Sequence, residues 1–208
     1  MTTELKQLLQ SYTEQVDAQL EKIIPKNSGP GAELFAAMRY SVFNGGKRLR
    51  PALCFAAADA VGASSGNTAK VAAAGEMIHG YSLIHDDLPA MDDDDLRRGV
   101  PTCHIKFDEA TAILAGDALL TQAFILMTRA AGMESVPPEC ILKATHEMAS
   151  ALGSTGMIGG QVVDLKSEGK PITAETLEYI HIYKTGFLIR ACIRCGGILS
   201  QATESQLN

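Results

Sequence analysis

The chain has 208 residues, 46% of them apolar and 20% charged, with a formal net charge of −6. That composition supports a buried core and excludes a disordered polar chain. The acidic balance lacks the basic footprint that duplex nucleic acid requires, so no nucleic-acid partner is expected, although a local basic pocket can still hold a small anion.

The opening residues, MTTELKQLLQSYTEQ, are polar and mixed in charge. They lack the apolar stretch of a signal peptide. No apolar run reaches the roughly 18 residues needed to cross a bilayer. The longest candidate, 110–120, is interrupted by Asp117. The expectation is a cytoplasmic protein with no membrane span. The five cysteines are scattered and odd in number, and only Cys192-x-x-Cys195 has metal or redox spacing. No second pair or pair of histidines completes a zinc site. The pair reads as a small apolar residue repeated one helical turn apart, and reduced thiols fit a cytosol.

Helical periodicity dominates and strand alternation is nearly absent, so the fold class is all-α in a single domain over 1–208. Helices are expected over 4–24, 32–44, 48–62, 68–88, 107–131, 137–154 and 173–202. The breaks carry turn chemistry: PKNSGPG at 25–31, GASSG at 62–66, RGVP at 98–101, a Pro-Pro within 132–138 and GKP at 169–171. Thr173 is a helix N-cap, with Glu175 and Glu178 in the first turns. The stretch 71–84, VAAAGEMIHGYSLI, is apolar on nearly all sides and therefore central. It runs straight into the most acidic part of the chain, and such a conflict between local rules marks a functional site.

From Asp86 to Asp95, six of ten residues are aspartates. On an unbroken helix Asp86 and Asp92 would stand about 240° apart. Pro89 breaks the helical ladder, and a loop there can return Asp92 to the side of Asp86. Carboxylates with several retained waters are what magnesium prefers, and the negative pole of the helix helps further. A solvated acidic helix end is the bland alternative. It is disfavoured by the apolar helix before the run, by Pro89 within it and by Arg97 and Arg98 just after. An EF-hand is excluded by the missing glycine and glutamate.

The segment Asn44-Gly45-Gly46-Lys47-Arg48-Leu49-Arg50-Pro51 is a glycine turn opening a helix. Lys47 and Arg50 share a face, and a glycine turn, a helix start and cations together suit a diphosphate. The spacing is not that of a P-loop, and an exposed basic turn is the alternative. His79 lies seven residues before Asp86, near the same helix face. Gln161 and Asp164 share a face in GSTGMIGGQVVDL, whose glycines either leave room for a bound chain or form a kinked connector. Lys184 and Thr185 interrupt the last helical pattern.

GGKRLRP at 45–51, MIHGYSLIHDDLPAMDDDDLRRG at 77–99, PTCH at 101–104, AILAGDALL at 112–120, GGQVVDL at 159–165 and YKTG at 183–186 resemble the bacterial farnesyl and geranylgeranyl diphosphate synthases, members of the trans-prenyl diphosphate synthase family. The likeness extends from about Leu34 onward. It implies a bundle of helices around a deep apolar cavity. It also implies Mg2+-dependent condensation of isopentenyl diphosphate with dimethylallyl or geranyl diphosphate, carried out by a homodimer. By the same resemblance Asp86 and Asp92 bind magnesium and Asp87 supports them. Lys47, Arg50, His79 and Arg98 take isopentenyl diphosphate. Arg97 takes the allylic diphosphate, and Lys184, Thr185 and Gln161 surround that diphosphate and the forming cation. Tyr81 and Ser82 set chain length; an aromatic at Tyr81 goes with short products, hence farnesyl diphosphate, with geranylgeranyl diphosphate as the alternative.

One departure stands out: no aspartate follows Asp164, whereas the family carries a second aspartate-rich motif. The chain is therefore expected to be the first two thirds of such an enzyme, without useful turnover of its own. A non-catalytic diphosphate-binding fragment is the rival from another class. A terpene cyclase would not need Lys47, Arg50 and His79, and a phosphohydrolase built on His85-Asp86 lacks an upstream histidine at a suitable distance, the first in the chain being His79.

Overall fold

Twenty-one residues from Thr3 form the first helix because Thr2, extended at φ −65°, turns its hydroxyl to accept the Leu5 N–H at 3.3 Å, the usual N-cap arrangement. The computed structural model describes residues 2–26, 29–62, 66–129 and 136–208. Within them run α1 (Thr3–Ile23), α2 (Ala32–Phe43), α3 (Leu49–Val61), α4 (Gly66–Asp86), α5 (Cys103–Lys106), α6 (Glu109–Thr128), α7 (Pro138–Leu152), α8 (Met157–Ser167), α9 (Ala174–Ile180), α10 (Phe187–Leu199) and α11 (Glu204–Leu207). A two-residue hairpin, β1 (Leu96–Arg97) against β2 (Val100–Pro101), is antiparallel with Leu96 opposite Pro101. The class is all-α. Parts of the breaks expected at 25–31, 62–66 and 132–138 lie outside the described residues.

Four features differ from the sequence expectation. The RGVP break is the turn of the hairpin. Helix α8 occupies the stretch left open as a kinked connector. The helix expected over 173–202 carries a π-helical turn, His181–Gly186, between α9 and α10. Helix α6 is the one helix among the described residues long and apolar enough, by length and composition, to cross a membrane, although Asp117 interrupts its apolar run. Its Ala112, Ala115, Leu119 and Ala123 are fully buried, at spacings of three and four, while Ile113, Leu114 and Ile125 are exposed. That is a two-faced helix packed on one side.

The chain divides into two compact units, residues 1–51 with 73–126 and residues 52–72 with 127–208. In the first, Val16, Leu20, Met77, Ile78 and Leu119 are buried to 0% exposure. On α4 the residues from Ala73 to Ile78 are all buried, which is why that stretch is apolar nearly all round. In the second, α10 packs on α7, and the thiols of Cys54, Cys192 and Cys195 are buried. Burial pushes the Cys54 and Cys195 thiols well up, so they remain protonated apolar fillers.

Candidate active site

Helix α4 ends at Asp86, and the chain then reverses. Pro89 offers no N–H to continue the ladder. Met91 N–H donates to the Leu88 carbonyl at 2.8 Å, Asp93 N–H to the same carbonyl at 3.1 Å, and Asp92 N–H to the Asp86 carbonyl at 2.9 Å. The last bond brings together two residues that a straight helix would hold on different faces. Asp93 takes φ +52° at the tightest point, a conformation aspartate tolerates better than most residues.

The hairpin aims Arg97 at this loop. Its two-residue turn, Arg98-Gly99, has φ +56° and +80°, the geometry whose twist matches flanking strands. Arg97 Nε donates to both Asp87 oxygens, at 2.7 and 2.9 Å, and its Nη2 stands 2.6 Å from Asp87, 3.7 Å from Asp86 and 4.0 Å from Asp94. Asp87 is buried, so its carboxyl titrates above the ordinary aspartate range even with Arg97 pulling it back down. The same bond holds Arg97 more firmly charged. In this structure Arg97 thus lies folded onto the acidic loop.

A second cluster lies at the glycine turn before α3. Gly45 and Gly46 adopt φ +80° and +125° and Arg48 φ +47°, so three residues of four are left-handed. Arg98 Nη1 donates to the Gly45 carbonyl, and a Cβ on Gly46 would stand 2.7 Å from that nitrogen. Gly46, Lys47, Arg48, Leu49, Arg50, Glu76, His79 and Arg98 line a cleft of about 570 Å3. Lys47 is exposed and Arg50 half-buried. The His79 Nδ1 is buried with no hydrogen-bond partner. Burial, and then Arg50 and Arg98 nearby, hold its pKa down to about 3, so the imidazole is neutral at physiological pH. A cleft of cations with one neutral imidazole is chemically suited to a polyanion: the cations supply charge and the ring supplies a hydrogen bond without adding to their repulsion.

The remaining candidates divide as follows. Tyr81 is buried on α4, its ring edge-on to His85 at 5.7 Å, and Ser82 donates to the His79 carbonyl at 2.9 Å. Gln161, Lys184 and Thr185 belong to the second unit. Lys184 Nζ donates to Asp164 Oδ2 at 2.6 Å, from within the π turn. A π turn is an uncommon departure from α winding that recurs at functional sites. Sequence reasoning missed two partners. Asp164 was noted only for its face, and Glu76, which pairs with buried Arg48 at 2.7 Å, was passed over. A lone glutamate inside an otherwise apolar helix was the available signal.

Among the described residues no three His, Cys, Asp or Glu side chains form a group able to enclose a metal. Asp86 and Asp92 offer oxygen donors from two neighbouring points of one loop. That set fits magnesium, which keeps several waters and shares its shell with phosphate oxygens rather than entering an all-protein cage.

Comparison with known proteins gives the family. The polyprenyl synthetase family profile matches residues 32–208. The chain is 48% identical over 192 residues to the farnesyl diphosphate synthase of Escherichia coli (strain K12), covering 92% of this chain and 64% of that enzyme. It is 46% identical over 194 residues to the geranylgeranyl diphosphate synthase of Cyanophora paradoxa, covering 93% of this chain and 63% of that one. The chain thus spans just under two thirds of the length of these relatives. The crystal structure of an FPP/GFPP synthase from Zymomonas mobilis superposes with a TM-score of 0.93 at 37% identity, over 99% of this chain and 74% of that one. With both aspartates on one reversed loop and a cationic cleft beside the glycine turn, the chain belongs to the polyprenyl synthetase family.

Proposed function

We propose that the protein is a prenyltransferase that condenses isopentenyl diphosphate with dimethylallyl or geranyl diphosphate to give farnesyl diphosphate. The observation that carries this reading is the pairing of the reversed aspartate loop with the cationic cleft, two anion-handling sites of opposite construction. Lys47, Arg50, Arg98 and neutral His79 hold the diphosphate of isopentenyl diphosphate in the cleft. Asp86 and Asp92 hold Mg2+, which when bound neutralises charge developing on the departing allylic diphosphate. Arg97 turns from Asp87 toward that diphosphate, and the family resemblance assigns Lys184, Thr185 and Gln161 to the allylic diphosphate and the forming cation. Preorganised cations lower the barrier because they need no reorientation as charge develops. Holding the alkene in place removes the entropic cost of bringing two substrates together.

Tyr81 forms the floor that stops the growing tail, with Ser82 beside it. It lies five residues before Asp86, so about 7.5 Å down α4. The 46% identity to a geranylgeranyl diphosphate synthase favours a longer product as the second reading. The exposed Ile113, Leu114 and Ile125 of α6 suit a homodimer contact. A cytoplasmic location fits the buried reduced thiols. Incubation of a chain that also carries the second aspartate-rich motif with labelled isopentenyl diphosphate, geranyl diphosphate and magnesium should give labelled farnesyl diphosphate. Binding of isopentenyl diphosphate with no condensation would point instead to a diphosphate-binding fragment. No binding at all would sink the reading.

A further inference from the structure

Arg48 sits between two residues assigned to substrate and borders the same cleft, yet its guanidinium is taken up by protein carboxylates. Its left-handed φ of +47° is unfavourable for any residue with a Cβ. That conformation sends the side chain inward, leaving it 6% exposed, while neighbouring Lys47 remains exposed. Its Nη1 donates to Glu76 Oε1 at 2.7 Å, and its Nε donates to Asp17 Oδ1 at 3.0 Å. With two carboxylates on its guanidinium, Arg48 is committed to the protein rather than to a ligand. Glu76 is itself only 5% exposed, shortly after three fully buried alanines and beside fully buried Met77 on α4. A buried ion pair of this kind seldom adds net stability over well-packed apolar side chains, so its presence calls for another reason. The reason lies in what the two ends carry. Arg48 adjoins Lys47 and is two residues from Arg50. Glu76 is three residues before His79, one turn away on the same side of α4.

We propose that Arg48 and Glu76 are positioning residues: their buried ion pair bolts the glycine turn to α4, so that Lys47 and Arg50 face the same cleft as His79 and grip one diphosphate. This rests on the reading of the cleft as the isopentenyl diphosphate pocket. Both residues border the cleft, but their charged ends are taken up by each other and by Asp17. The strained backbone at Arg48 is held because Glu76 and Asp17 over-determine it.

The test separates positioning from folding. In the double variant Arg48→Met with Glu76→Leu, one positive and one negative charge leave together, so the local net charge is unchanged. Glu76→Gln keeps the shape and removes only the charge. For each, the melting temperature and the calorimetric Kd for isopentenyl diphosphate are measured on the same sample. The double variant should melt within a few degrees of the parent and bind at least fivefold more weakly, and Glu76→Gln should show the same direction. Less than a fivefold change in the double variant overturns the proposal, however the melting temperature moves. Should the double variant not fold, Glu76→Gln alone decides by the same threshold. Arg50→Ala is the control on the underlying reading. If it binds as the parent does, the cleft is not the pocket, a failure distinct from that of the bolt.

Discussion

A Cβ placed on Gly160 would stand 2.3 Å from the main-chain nitrogen of Lys184, so α8 can lie against the π turn only as glycine. The obstacle is backbone, which cannot swing aside as a side-chain tip can. Gly160→Ala should therefore destabilise the protein by about 1–3 kcal/mol, the scale of an overpacked contact. Urea unfolding followed by circular dichroism measures it. A loss under about 0.5 kcal/mol, the range of ordinary surface substitutions, would show that the two segments can part without cost.

The glycine turn offers a contrast between neighbours. A Cβ on Gly45 meets nothing within 4 Å, whereas one on Gly46 meets the Arg98 guanidinium at 2.7 Å, and both glycines have positive φ. Gly45→Ala should cost backbone strain of about 1–2 kcal/mol and little affinity. Gly46→Ala should cost a similar strain and also displace Arg98, weakening isopentenyl diphosphate binding by a further ~1.5–3 kcal/mol, the scale of a charge-assisted bond. Equal affinities in the two variants would remove Arg98 from the pocket.

His79 gives the unliganded protein a pH dependence. Its pKa is about 3 in the fold and about 6.5 when the chain is unfolded. Between these values the unfolded chain binds one more proton, so stability falls as pH drops below 6.5, by up to about 1.4 kcal/mol per pH unit. Asp87, whose carboxyl burial pushes up, acts in the opposite sense and is common to parent and variant. The descent from pH 6.5 to 5 should therefore weaken in His79→Gln. Identical stability profiles for parent and variant over that interval would refute the assignment.

Magnesium should bind this protein measurably only in the presence of a diphosphate. The two carboxylates offered by Asp86 and Asp92 leave most of the ion's shell to water and phosphate. Calorimetry with magnesium and inorganic pyrophosphate should show heat that Asp86→Ala abolishes. Unchanged heat in that variant would place the metal elsewhere.

Tyr81 is 6% exposed and edge-on to His85. In a chain that also carries the second aspartate-rich motif, Tyr81→Ala should lengthen the product beyond fifteen carbons in chromatographed prenyl alcohols, at a cost of about 3–5 kcal/mol in stability, the usual result of removing a buried aromatic ring. A folded variant with an unaltered product would end the role of Tyr81 as floor.

The sequence carried the long helices well, because apolar spacing and capping residues such as Thr173 act locally. Thr173 does accept the Thr176 N–H at 3.2 Å. The reversal at Pro89 was legible from a missing N–H and from the carboxylates on either side. Other features were hidden because they depend on partners distant in the chain. Arg48 finds Asp17 and Glu76 thirty-one and twenty-eight residues away, and no periodicity encodes that. The hairpin after the acidic loop is too short for alternation to register, and α8 is rich in glycine, which argues locally against a helix. Its glycines answer to close packing instead, as Gly160 shows.

The π turn has a consequence for how the last long helical rod can vary. Ile180 and Leu188 are buried, and Lys184 lies midway between them, four residues from each. Regular winding would lay that lysine along the apolar stripe, where an ammonium is costly. The wider turn lets the stripe pass while Lys184 reaches Asp164, and the rings of Tyr179, Tyr183 and Phe187 stack along the rod at 4.0 and 4.6 Å. A π turn holds one residue more than an α turn, so a codon lost within 181–186 would restore ordinary winding and leave the helix beyond it facing much as before. The extra residue therefore serves Lys184 rather than the rod: its removal would spare the packing of Leu188 and cost the reach of Lys184 to Asp164.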